Sequence, residues 1–262
     1  MWRRAIPTGP ERVDPSTAGP GETLDRLAGA WWIYQLERGQ RYTTDDVVTA
    51  WTALGARPDA SSVLDLGAGS GSVGLLALLR LDPAARLVCV EIQARCAELI
   101  ERSARLNGIG ARVDVRCGDL RSPAVLGAEE RFELVVTNPP YLPPRSAVAS
   151  PYPQRAAARL EQHGDIFDFC RAASRALAPG GVVCLCHAAA DERVEAAARE
   201  AGLKVLQRRE VIAIEGRAPL FAIHLLAAAG RRRDLPPLTV RLAGGARSEE
   251  YRRLRRQMLI EV

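Results

Sequence analysis

Lysine is almost missing from this chain: of 36 basic residues, only Lys204 is a lysine. Arginine suits bidentate contact with phosphate, but so one-sided a bias reflects genome composition more than function. No run approaches the roughly 20 uninterrupted apolar residues that a membrane span needs. The start, Met1-Trp2-Arg3-Arg4-Ala5-Ile6-Pro7, has no apolar signal-peptide core. The six cysteines (89, 96, 117, 170, 184, 186) have no regular spacing and lie mostly in apolar runs, so a disulfide framework is excluded. Reduced thiols, a cytoplasmic location and no membrane partner are the expectation. Wholesale disorder is also excluded, because 47% hydrophobic and 26% charged residues are ordinary for a globular protein. A length of 262 residues allows one large α/β domain or two small ones.

What charge there is sits at one end. From Arg231 to Val262, nine arginines face four acids, which accounts for the whole net charge of +5 and leaves the body neutral. A neutral body with a basic tail predicts contact with a polyanion such as RNA. The plainer alternative is a solvated terminal helix in which Glu249 and Glu250 pair with Arg252 and Arg253.

Residues 1–22 are rich in Pro, Gly and Arg and read as a disordered lead-in. Residues 23–58 read as an arm with Trp31-Trp32-Ile33-Tyr34, followed by a helix capped by Thr44. From 59 to 230 short apolar strands alternate with amphipathic helices. The strands are 62–66, 87–91, 113–117, 132–137 and 182–186, with apolar runs at 205–214 and 219–227 closing the sheet. That order predicts a Rossmann-like, doubly wound α/β fold: seven strands, mainly parallel, with a C-terminal antiparallel hairpin. Residues 231–262 form the basic tail, and a monomer is expected.

Such sheets bind ligands beyond the carboxyl ends of their strands. Gly67, Gly69 and Gly71 follow the first core strand and allow a tight turn and close approach to the backbone. Asp65 can anchor that loop or accept from an ammonium. Glu91 ends the second strand, where it can accept both hydroxyls of a ribose, and Asp119 follows the third, where it can accept from an adenine amine. Any one of these acids alone reads as a loop cap. The ordered set at successive strand ends is what points to a nucleotide pocket.

The fourth strand ends in Asn138-Pro139-Pro140-Tyr141. An amide or aryl-amine nitrogen is a poor nucleophile because its lone pair is delocalised. The Asn138 side-chain carbonyl and the Pro139 backbone carbonyl can accept its two N–H bonds and free that pair. Proline stiffens the loop, and Tyr141 offers a face on which a base can stack. The loop from Leu142 to Gly164 carries Arg145, Arg155 and Arg159, which can meet phosphates.

With these residues in place, the sequence resembles the class I S-adenosylmethionine-dependent methyltransferases over roughly residues 40–227. The resemblance implies that Asp65, Gly67, Ala68, Gly69 and Gly71 form the methionine-binding loop, Glu91 with Ile92 holds the ribose, Asp119 with Leu120 holds the adenine, and Asn138 borders the cofactor as well as the substrate. Within that class, Val90 to Arg95, Arg116 to Leu120 and the Asn-Pro-Pro-Tyr loop are similar to the bacterial tRNA adenine-N6 methyltransferases that modify valine tRNA. The stretch Arg41-Tyr42-Thr43-Thr44-Asp45 is similar to a segment lining that family's cofactor pocket, which brings in Tyr42, Thr44 and Asp45. Asp46 departs from the pattern, standing where a glycine is expected. The implied function is methylation of adenine N6 in a tRNA.

Two rivals stay open. Glutamine-N5 methyltransferases of release factors share the tetrapeptide but usually carry a longer helical N-terminal domain. rRNA guanine-N2 enzymes commonly carry a second, duplicated domain. A methyltransferase-like RNA-binding module without activity is the non-enzyme alternative. Zinc at Cys184-Leu185-Cys186-His187 is not expected, because no second ligand cluster accompanies it. His163 stays outside the catalytic set, since the product ammonium loses its proton unaided.

Overall fold

The computed structural model describes residues 9–10, 12–142 and 151–261. The strands β1 (Glu22–Ala28) and β2 (Trp31–Leu36) form an antiparallel hairpin apart from the main sheet. It is followed by α1 (Thr44–Ala56), β3 (Ser62–Leu66), α2 (Ser72–Arg80), β4 (Arg86–Glu91), α3 (Ala94–Leu106), β5 (Val113–Cys117) and β6 (Phe132–Thr137). Beyond the loop after β6 come α4 (Pro153–Ala157), α5 (Ile166–Ala176), β7 (Leu177–Ala188), α6 (Arg193–Glu200), β8 (Lys204–Ile214), β9 (Phe221–Ala227), β10 (Leu238–Arg241) and α7 (Glu249–Gln257).

The main sheet has the order β10-β8-β9-β7-β6-β3-β4-β5. Strands β7, β6, β3, β4 and β5 run parallel, and β9 lies antiparallel between β7 and β8. Among the described residues the sheet therefore has eight strands, one more than predicted. The extra strand comes from the basic tail: β10 pairs in parallel with β8, and α7 folds behind it, burying Leu238, Tyr251, Leu254 and Met258. Only four residues long and preceded by Pro236-Pro237, β10 carries too little alternation to be read in advance.

Strict alternation puts a core on each face of the sheet. Val63, Leu87, Cys89, Leu134, Val136, Cys184 and Cys186 point to the face that also holds buried residues of α1, α2, α3 and α7. Leu64, Leu66, Val88, Val90, Val135, Val183 and Leu185 point to the face covered by α5 and α6. Burial on both faces is why these strands read as continuous apolar runs. Helix α2 is buried at all nine positions, as the apolar circumference between Ser72 and Arg80 requires. Cys184 is fully buried and sits against the Thr49 carbonyl at 3.4 Å.

Residues 12–22 are more ordered than predicted. Among residues 12–22, a 3-10 turn at Pro15–Thr17 is capped by Asp14, the Thr17 carbonyl accepts from Arg102, and the Thr17 hydroxyl accepts from Tyr34. The expectation of a disordered lead-in is thus corrected for that part. The arm is a β-hairpin riveted to α3: Asn107 accepts from the Trp32 amide and donates to its carbonyl, and Ser103 accepts from the Tyr34 amide.

Candidate functional site

The chain reverses direction across the sheet between β3, which leads toward β4 and β5, and β6, which leads toward β7. Ligands bind at such a switch point. The Thr137 hydroxyl at the end of β6 donates to the Leu66 carbonyl at the end of β3 (2.8 Å), fixing the two loops side by side. Between them lies one pocket that takes in Tyr42, Asp45, Asp65, Gly67, Ala68, Gly69, Glu91, Ile92, Asp119, Leu120, Asn138, Pro139, Pro140, Tyr141 and Arg159.

The loop after β3 places Gly67, Gly69 and Gly71 at φ of +66°, +57° and +80°, all in the left-handed region that glycine tolerates. A Cβ on Gly67 would also meet the Phe169 ring at 2.8 Å. Asp65 accepts from the Gly74 amide and so ties the start of α2 to β3; burial pushes its pKa up to about 7. One Glu91 oxygen accepts from the Gly69 amide (2.8 Å) and the other from Gln93 (2.9 Å), while burial raises its pKa. These two buried carboxylates are desolvated acceptors that gain from a donor-bearing ligand. Asp119 is held below the usual carboxylate range by hydrogen bonds from Arg121, so part of its acceptor capacity is already taken.

The other wall is built by the arm. Gln35 accepts from the Tyr42 amide, and the Tyr42 hydroxyl donates to the Arg26 carbonyl, tying this residue of the pocket wall to the arm. The N-cap of α1 is Thr43 rather than Thr44. One Asp46 oxygen accepts from the Thr43 amide, and the other accepts from Asn138 Nδ2 at 2.9 Å. Asp45 accepts from the same Nδ2 at 3.0 Å. Both amide hydrogens of Asn138 are thereby engaged by carboxylates, and among the described residues no donor meets its Oδ1. Burial, with Asp45 beside it, raises the Asp46 pKa to about 7.

Three expected site residues fall outside the pocket lining, and a fourth is not described. Thr44 lies behind the pocket, with its hydroxyl 3.5 Å from that of Tyr251 on α7. Gly71 caps α2 and packs on Ile100. Arg155, on α4, is not among the pocket's lining residues, and Arg145 lies outside the described residues. Conversely, Asp46, Gln93, Gln154, His163 and Phe169 line the pocket without having been singled out as site residues. The departure of Asp46 from the expected glycine and the place of His163 beside the loop were the available signals; Phe169 reaches the loop only through the packing of α5.

The family model described as the methyltransferase small domain matches residues 51–190. The chain belongs to this family. This family member is 39% identical over 150 residues to a release factor glutamine methyltransferase of Geobacter sulfurreducens, covering 54% of this chain and 49% of the relative. It is 31% identical over 159 residues to a tRNA1(Val) (adenine(37)-N6)-methyltransferase of Porphyromonas gingivalis, covering 58% and 60%. The chain thus spans about half the length of the curated relatives it matches. A crystal structure of a predicted O-methyltransferase from Agrobacterium tumefaciens superposes with a TM-score of 0.63 at 22% identity, covering 83% of this chain and 98% of that one. At that identity the likeness is one of fold.

Proposed function

We propose that this chain transfers a methyl group from S-adenosylmethionine to the exocyclic N6 amine of an adenine in a tRNA. The observation that carries the reading is the clamp on Asn138: two carboxylates on Nδ2 hold the amide so that Oδ1 is available to a planar nitrogen. Asp65 and the backbone of Gly67 to Gly69 would hold the methionine end of the cofactor, Glu91 the ribose, and Leu120 with Asp119 the adenine. When bound, the cofactor supplies a methyl group already activated on a sulfonium. Asn138 Oδ1 and the Pro139 carbonyl then accept the two N–H bonds of the target amine, turning its lone pair toward the methyl for in-line attack. Tyr141 stacks the substrate ring, and Arg159 at the pocket wall contacts phosphate.

RNA is supported by α7. Its Arg252, Arg253 and Arg256 stand on a helix whose Tyr251 reaches Thr44 at the start of α1, and Arg253 has no ion pair among the described residues. The 39% identity to a release factor glutamine methyltransferase favours a second reading, methylation of a glutamine side-chain amide by the same two acceptors.

Methyl transfer from labelled S-adenosylmethionine into unmodified total tRNA and into purified release factor separates the two. N6-methyladenosine in the RNA pool is expected. Label on release factor alone would move the chain to the glutamine enzymes.

A further inference from the structure

The catalytic tetrapeptide leads into an excursion of the chain that returns at Leu160. Its neck is closed by backbone pairing: the Leu142 amide donates to the Arg159 carbonyl (3.1 Å), and the Glu161 amide donates to the Leu142 carbonyl (3.0 Å). The same neck brings Arg159 and His163 to the pocket. Its position therefore sets what the substrate meets.

Glu161 is 5% exposed at its side chain, so its charge needs a partner. Arg193, the first residue of α6, supplies one. Its Nη1 and Nη2 donate to the two Glu161 oxygens at 3.0 and 2.7 Å. On its other edge, Nε and Nη2 donate to the Asp191 carboxylate at 2.6–3.0 Å. Asp191 Oδ2 lies 3.5 Å from Nδ1 of His187, a fully buried imidazole. Neither ring nitrogen of His187 has a hydrogen-bond partner among the described residues, and burial lowers its pKa to about 4, so the ring is neutral. The His187 ring meets the ring of Tyr141 edge-on, with centroids 6.0 Å apart.

These contacts form a closed ring that begins and ends at the catalytic loop. Tyr141 leads to His187, then Asp191, Arg193 and Glu161, and Glu161 pairs with Leu142, the residue after Tyr141. We propose that Arg193 is a positioning residue for substrate, closing this ring so that the loop neck and the Tyr141 face are held in one geometry. This builds on the proposed role of Tyr141 as the substrate platform.

Glu161, His187 and Asp191 place ligand atoms within 4.8 Å of one another, a spacing that would also suit a metal ion. The guanidinium of Arg193 already stands between the two carboxylates and provides the positive charge there, so the geometry favours the arginine as the clasp. Bidentate pairing to two carboxylates at once is a task for arginine's planar fork, which lysine cannot reproduce.

The test compares wild type with Arg193→Ala and Arg193→Lys. In the alanine variant, amide hydrogen exchange at Leu142 and Glu161 is expected to rise about tenfold or more. The KM for unmodified tRNA is expected to rise about tenfold, while kcat changes less than about threefold and cofactor affinity stays the same. Lysine should restore part of the KM. If the alanine variant does not fold, Glu161→Gln, which keeps the side chain's shape and removes its charge, carries the same readouts. Unchanged exchange at the neck, or exchange that rises with no change in KM, would overturn the proposal. So would a stoichiometric zinc ion that slows neck exchange in the wild type, since the ring would then be a metal site. If neither tRNA nor release factor is methylated by the wild type, the reading of the reaction fails, while neck exchange still decides whether Arg193 closes the ring.

Discussion

At the residue scale, the position where a glycine was expected is the one that holds the Asn138 side chain. Asp46 caps its own helix with one oxygen and holds Asn138 with the other. A glycine there could do neither through a side chain. Its burial beside Asp45 raises its pKa to about 7, so its charge is lost as pH falls through neutrality. The ionised form is the stronger acceptor for the Asn138 amide. Turnover is therefore expected to decline below about pH 7, reading kcat/KM against pH. Asp46→Asn should lower turnover by about tenfold and remove that acid limb. An acid limb that persists unchanged in the variant would assign it to another group. Asn138 and Glu91 were legible because their residue types are tied to a strand end. Asp46 was visible only as an anomaly, because nothing in the sequence shows that a helix start will meet the loop after β6, 92 residues along.

At the element scale, the long-period pattern was readable and the small additions were not. Strands β3, β4, β6 and β7 carry apolar side chains on both faces, and α3 and α5 have clear apolar stripes. By contrast, β1 and β2 were read only as an arm, because a hairpin that packs on a helix needs no long alternation. The tail is the sharpest case. Its arginines dominate its composition, yet Leu238, Val240, Tyr251, Leu254 and Met258 insert into the core, and Arg209 pairs with Glu250. Deleting residues 231–262 is thus expected to unfold the domain, seen as loss of a cooperative melting transition, and cannot report on RNA. Replacing Arg252, Arg253 and Arg256 by alanine leaves that core intact. For this variant the melting temperature should fall by only a few degrees, because exposed ion pairs contribute about 0–1 kcal/mol each. Its RNA affinity should fall, and the slope of log affinity against log salt should flatten by about 0.9 for each phosphate the variant no longer neutralises. A fold that survives the deletion, or an RNA affinity indifferent to the three alanines at every salt concentration, would contradict this account of α7.

At the scale of the whole molecule, the two halves of the sheet divide the work at the switch point. The loops after β3, β4 and β5 bring the glycine turn, Glu91 and Asp119, while the loop after β6 brings Asn138 to Tyr141, joined to the first set by the Thr137 hydrogen bond. The doubly wound order was legible from the alternation of strands and helices, and with it the pairing of these loops. Their mutual geometry was not, because it depends on the arm and on α1 closing the pocket from outside the sheet. This division makes cofactor affinity and chemistry separable, which is the central claim. The direct measurement is Asn138→Ala, read both as cofactor affinity by titration and as methyl transfer. The account predicts that turnover falls by about a hundredfold or more while cofactor affinity stays within about twofold, because Asn138 acts on the reacting nitrogen. A collapse of cofactor affinity together with activity would contradict it, and would place Asn138 in cofactor binding or in the fold.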